Sequence, residues 1–177
     1  MTLYYSIQPR KIWEKFMKQG YMEGNNEYGL YSEHYQWMME QMSKRLANYK
    51  GEYPVWLWTE IPEFYRFRFS DVARKKFVLL TIELDDKDVL LSDFEAWHVP
   101  LNSGSFDNDI ILPRVYKYNR NVDMSDWEKI FDFDWLKTNF YENESEELCL
   151  QGTTGKISVE KVVAVKYFTS KKLNLRI

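Results

Sequence analysis

The sequence predicts an α+β fold: a single domain over residues 1–177, with a mostly antiparallel sheet and helices packed to one side. Three observations lead there. Apolar residues recur with period two in some stretches and with helical spacing in others. The stretches are segregated, in the order strand, helix, helix, several strands, helix, two strands, where parallel βαβ units would alternate. A chain of 177 residues is long enough to bury one core and short for two.

The elements follow in chain order. "LYYSIQ" (3–8) is aromatic and β-branched and stops at Pro9, which predicts a strand running into a helix with Pro at its start. In "RKIWEKFMKQG" the residues Ile12, Trp13, Phe16 and Met17 share a helical face, and Gly20 supplies the stop. "NNEYG" (25–29) reads as loop. Tyr31, Tyr35, Met38, Met42 and Leu46 then recur at intervals of four, three, four and four, the clearest helix of the chain. Its second face carries Trp37, Gln41 and Arg45, placed to look into a cleft.

From residue 54 the period becomes two. "PVWLWTEI" alternates Val55 and Leu57 with Trp56 and Trp58, and "FYRFRF" (64–69) alternates aromatics with Arg66 and Arg68. "KKFVLLTIEL" (75–84) has the unbroken apolarity of a central strand, and "DDKD" (85–88) turns it into "VLL" (89–91). Ser92 is expected to cap a short helix with Asp93 and Glu95 in its first turn, ended by Pro100.

Residues 103–122 read as a long irregular stretch. "MSDWEKIFDFDWLKTNF" (124–140) predicts one helix, capped by Ser125 with Glu128 completing a capping box and with Trp127, Ile130 and Phe131 inward. "ELCLQ" (147–151), a "GTTG" turn, a one-turn "SVEK" and "VVAVKYF" (162–168) close the fold with two strands.

Charge and composition bound the function. The net charge of −3, from 24 basic and 27 acidic residues, gives no global field that would draw in nucleic acid or an anionic membrane. Arg66, Arg68, Arg74, Lys75 and Lys76 form the one basic concentration, interleaved with Tyr65, Phe67 and Phe69. It reads as an edge strand more readily than as a surface that stacks single-stranded nucleic acid. Cys149 is the single cysteine and His34 and His98 are the only histidines, so neither a disulfide nor a His/Cys metal site is expected. Without a membrane-spanning run or a signal peptide, the expected location is the cytoplasm.

"LLSDFEAWHVPLN" (90–102) concentrates polar and aromatic groups around a tight corner. Ser92, His98 and Asp93 sit within one helical turn and do not have the separate origins that let a catalytic triad converge. Trp97, His98 and Asn102 are left without a capping role and are the candidates for ligand contact. "GTTG" and "NSGS" lack the Lys of a phosphate-binding loop, and "ENESEE" (142–147) reads as a solvated acidic loop.

"YSIQ", "YQWMMEQM" followed by Arg45, "PVWLW", "LLSDFEAWHVPLN" and "CLQGTTGKI" together resemble an uncharacterised bacterial family known only as a domain of unknown function. That resemblance implies a bacterial or phage-associated protein and no reaction. The opening "LYYSIQPRKIWEKFMKQGYM" and the closing "EELCLQGTTGKISVEKVVAVKYF" are also similar to ADP-ribosyltransferase-like domains. That likeness implies NAD as the cofactor. Ser6 or Gln8 would then serve the adenosine side, an aromatic around Trp58 would face the nicotinamide, and Gln151 or Glu147 would orient the ribose as an oxocarbenium-like transition state forms. No His or Arg stands on the first strand, and a Gln at the late position brings no negative charge.

Two functions therefore stay open. One is an NAD- or nucleotide-binding protein whose cleft is lined by Gln8, Trp58, Trp97, Asn102 and Gln151. The other is a non-catalytic regulatory protein, of the defence or counter-defence kind, that acts by masking a protein partner.

Overall fold

Strand β1 (Thr2–Pro9) pairs along its whole length with β4 (Lys76–Leu84), from Thr2↔Leu84 to Pro9↔Phe77. This is the longest ladder in a computed structural model that describes residues 1–25, 32–61, 75–106, 124–141 and 147–170. β3 (Val55–Trp58) pairs with β1 on its other side, β6 (Leu150–Thr154) with β3, and β5 (Leu90–Asp93) with β6. β8 (Val162–Thr169) pairs with β4. The result is one six-stranded sheet in the order β5-β6-β3-β1-β4-β8, with every pairing antiparallel. β2 (Tyr21–Met22) and β7 (Ile157–Ser158) make a separate two-stranded ribbon that the sequence reading did not anticipate.

Because successive side chains alternate across a strand, the register assigns each residue to a face. One face carries Leu57, Val78, Leu80 and Ile82, packed with Trp13 and Phe16 of helix α1 (Arg10–Gln19) and with Met22 and Ile157 of the ribbon. The other carries Leu90 and Trp56, packed with Met38 and Met42 of α2 (Ser32–Arg45), Ala96 and Trp97 of α3 (Phe94–Leu101), and Leu136 of α4 (Phe133–Asn139). Helices α2, α3 and α4 thus gather on one side of an antiparallel sheet, as an α+β fold requires, while α1 covers the opposite face.

Pro9 stands at the start of α1 as expected, at its N-cap with φ −54°. Several other local expectations are corrected. Met17 is exposed, outside the apolar face. Ser92 does not cap α3: it pairs with Gln151 inside the sheet, and Asp93 is the N-cap, accepting from the Ala96 N–H at 2.8 Å. Pro100 lies inside the last turn of α3, where it has no N–H to offer the Ala96 carbonyl, and the helix runs one residue past it to Leu101. The single helix expected over 124–140 is two, a 3-10 turn at Asp126–Phe131 and then α4. Ser125 makes no side-chain cap there, and the carboxylate of Asp132 caps α4 by accepting from the Trp135 N–H at 3.0 Å. The "GTT" of the expected turn is the second half of β6. Tyr31, the "FYRFRF" segment with Arg66 and Arg68, Arg74 and most of 103–122 lie outside the described residues.

Candidate functional site

Antiparallel register brings Ser92, Gln151, Trp58 and Tyr5 into one row across β5, β6, β3 and β1, on the face that α3 covers. Ser92 is fully buried and Gln151 is 4% exposed. The Gln151 amide donates to Ser92 Oγ at 3.3 Å, which meets part of the hydrogen-bonding demand that burial creates. Beside them Trp58 is half-buried and meets the Phe94 ring at 5.0 Å between centroids, tilted by 53°. Phe94 in turn meets His98, one turn on along α3, edge-on at 4.8 Å.

His98 Nδ1 lies 2.9 Å from the Phe94 carbonyl, an acceptor, so Nδ1 carries the hydrogen and the neutral ring presents Nε2 as an acceptor. The row thus offers a half-exposed aromatic shelf and an amide, and α3 adds an imidazole through Phe94, the groups that stack a flat ring and bond its edge. Sequence reasoning missed Phe94, although its spacing of four from His98 within a helix start was the available signal.

The other sequence-derived candidates are dispersed. Ser6 and Gln8 point to the opposite sheet face, where Gln8 Nε2 donates to Ser6 Oγ at 2.9 Å. Trp97 is 3% exposed and belongs to the core, tilted against Trp56 at 5.3 Å and stacked on Trp37 at 6.2 Å. Asn102 ends α3, its Nδ2 donating to the His98 carbonyl at 2.7 Å. Glu147 is exposed ahead of β6. Of the expected set, Trp58, Gln151 and His98 come together and the rest do not.

The second face of α2 is closed at Trp37 and Gln41 and opens at its Arg45 end. Trp37 and Gln41 are buried, and Arg45 bonds Gln41 Oε1 at 2.6 Å and Glu128 Oε2 at 2.9 Å while its guanidinium lies 4.6 Å from the Phe131 ring. A shallow depression of about 580 Å³ opens there, lined by Arg45, Glu128, Phe131, Asp132, Phe133 and Asp134. The hydrogen bond from Arg45 holds the Glu128 carboxyl below its usual range, the mark of a structural ion pair.

Among the described residues no helix is long and apolar enough to cross a membrane, and no three His, Cys, Asp or Glu side chains stand close enough to share a metal ion. Residues 3–116 match the family described as a domain of unknown function (DUF3841), a span that runs from β1 past α3 and stops short of β6. No curated protein and no solved structure matches the chain.

Proposed function

The chain belongs to the DUF3841 family, and we propose that this member binds NAD or a related nucleotide on the sheet face that carries Trp58 and Gln151. The observation that supports this reading is a nearly buried amide, Gln151, set in register beside the half-buried Trp58. An amide held at 4% exposure donates to Ser92, and its carbonyl oxygen is a directional acceptor for the edge of a base or carboxamide. Trp58 and Phe94 offer ring faces for the same ligand, and His98 Nε2 a second acceptor.

Binding is proposed here and ADP-ribosyl transfer is not, for a geometric reason. Transfer needs a carboxylate against the ribose, and the expected Glu147 is exposed four residues before Gln151, while Ser6 and Gln8 lie across the sheet. NAD, when bound, would supply an electrophilic ribose carbon; the chain's own groups would stack and orient it. The protein-partner reading has a separate support in the exposed Val163 and Tyr167 of β8, which ends the sheet order.

Titration with NAD, followed by tryptophan emission, tests the proposal. Saturable quenching is expected, with Gln151→Ala raising Kd about tenfold, the worth of one well-placed hydrogen bond. Trp58→Leu should abolish most of the signal. A flat titration into the millimolar range, or quenching indifferent to both substitutions, would overturn it.

A further inference from the structure

At the far end of α3 from the Trp58 shelf, His34 Nε2 lies 2.9 Å from Ser103 Oγ, across 69 residues of sequence. The backbone at Ser103 is unusual. Its φ of 53° makes it the one non-glycine residue with positive φ among the described residues. The Ser103 N–H bonds the Pro100 carbonyl at 2.7 Å and the Gly104 N–H bonds the Val99 carbonyl at 2.8 Å, so α3 closes in a Schellman motif with Ser103 at the left-handed position. Glycine suits that position without strain, and a glycine stands immediately beside it at 104. The chain instead keeps a hydroxyl in the strained place, and that hydroxyl meets the imidazole.

Both partners are held. His34 stacks on Trp127 at 5.7 Å and 21°, and Trp127 Nε1 donates to the Gly104 carbonyl at 2.8 Å. Asp126 Oδ2 accepts from Ser105 Oγ at 2.5 Å and from the Phe106 N–H at 2.7 Å, which pins the chain just after the serine. Burial lowers the His34 pKa, against a smaller opposing effect of Glu33, so the ring is neutral near neutral pH, the form a base must have. Both Ser103 and His34 are half-buried, and neither is sealed in the core.

We propose that Ser103 and His34 are a nucleophile and general base that accept an acyl group from an activated carboxylic ester, at a site separate from the nucleotide shelf. Ser103 Oγ bonds to the ester carbonyl carbon as its proton passes to His34 Nε2. The carbon–oxygen bond to the leaving alkoxide or phenoxide then breaks, and that group departs with the proton, leaving an acyl-serine. Water, giving a proton to the same Nε2, then attacks the acyl carbon; the acyl–Oγ bond breaks, Ser103 Oγ takes the proton back from Nε2, and the carboxylic acid leaves. The Ser103 and Gly104 N–H groups are spent on α3 carbonyls and Asn102 Nδ2 on the His98 carbonyl, so these three donors do not serve the oxyanion. Both steps are therefore slow, but a phenoxide leaves more readily than the serine alkoxide, so acylation outruns hydrolysis and the acyl-serine accumulates.

The experiment reads that adduct. The full chain is incubated with 4-nitrophenyl acetate, and acetylation is located by peptide mass spectrometry. Acetyl is expected on Ser103, with a burst of 4-nitrophenolate, and His34→Gln should slow it by about a hundredfold or more. Ser103→Gly, which suits the backbone and should fold at least as well, should remove both burst and adduct. Acetylation of Ser103 no faster than in the urea-denatured chain, or an unchanged burst in Ser103→Gly, would overturn the proposal.

Discussion

Asp93 is the side chain on which the junction between β5 and α3 depends. It is fully buried, and its carboxylate accepts three hydrogen bonds: Ala96 N–H at 2.8 Å, Tyr141 O–H at 2.8 Å and Cys149 N–H at 2.9 Å. Burial, and after it the bond to Asp93, pushes the Tyr141 hydroxyl well above the usual tyrosine range, so it stays a donor. Asp93→Asn keeps the shape but replaces one acceptor by an NH₂ that faces donors. A loss of about 3 kcal/mol in urea unfolding is expected, against about 1 kcal/mol for Tyr141→Phe, which removes a single bond. Equal losses would show that the carboxylate is not the hub. At this scale the sequence was partly readable: a cap at the start of α3 follows from "SDFE", but its place slipped by one. Ser92 looked like the cap because capping rules are local, whereas what holds Ser92 in the strand is a ladder partner, Gln151, 59 residues away. The Ser103–His34 contact was out of reach for the same reason.

Among the elements, β6 shows most plainly where period and turn chemistry mislead. Two glycines around two threonines read as a turn, yet Gly152 is a mid-strand residue chosen for lack of a side chain. A Cβ there would stand 2.6 Å from Val89 Cγ1 and 3.7 Å from Leu57 Cβ and Leu91 Cδ2. Val89 is β-branched, 5% exposed and stiff at χ1, so it cannot swing aside. Gly152→Ala should destabilise by about 1–3 kcal/mol, and adding Val89→Ala should recover part of that loss, a coupling measurable in a double-mutant cycle. Additive losses would locate the strain elsewhere. α1 and α2 were legible from helical spacing, β4 from its unbroken apolarity, and β1 and β8 from their aromatic and β-branched residues. The break at Asp132 was not, since "DWEKIFDFDWLK" keeps helical spacing throughout and the Asp132 cap, a local cue, was overlooked.

At the scale of the whole molecule, the α+β class follows from the order of elements, but the sheet order does not. β5 and β6 meet across more than fifty residues, and nothing in either strand names its neighbour. That wiring leaves several tyrosine hydroxyls tied to carboxylates or buried between layers, and their joint titration is a global property. Tyr4 is 2% exposed and donates to Asp86 Oδ1 at 3.0 Å; burial first, and then Asp86, push its pKa up to about 12. Burial, with Glu52 adding to it, takes Tyr49 to about 12, and burial raises Tyr53 as well. Below the unfolded value of 10.0 these groups are protonated in both states and stability does not depend on them. Above it the unfolded chain releases protons that the folded chain still holds, so the unfolded state binds fewer and stability falls with each further pH unit until the folded groups ionise near 12. The urea midpoint should hold steady to about pH 9 and then drop steeply by about pH 11. The wild-type curve alone does not identify the cause. Tyr4→Phe does: it starts from lower stability because the Asp86 bond is gone, and its midpoint should fall less steeply between those two pH values. Parallel curves for the two proteins would mean that the buried tyrosines do not set the alkaline limit of this fold.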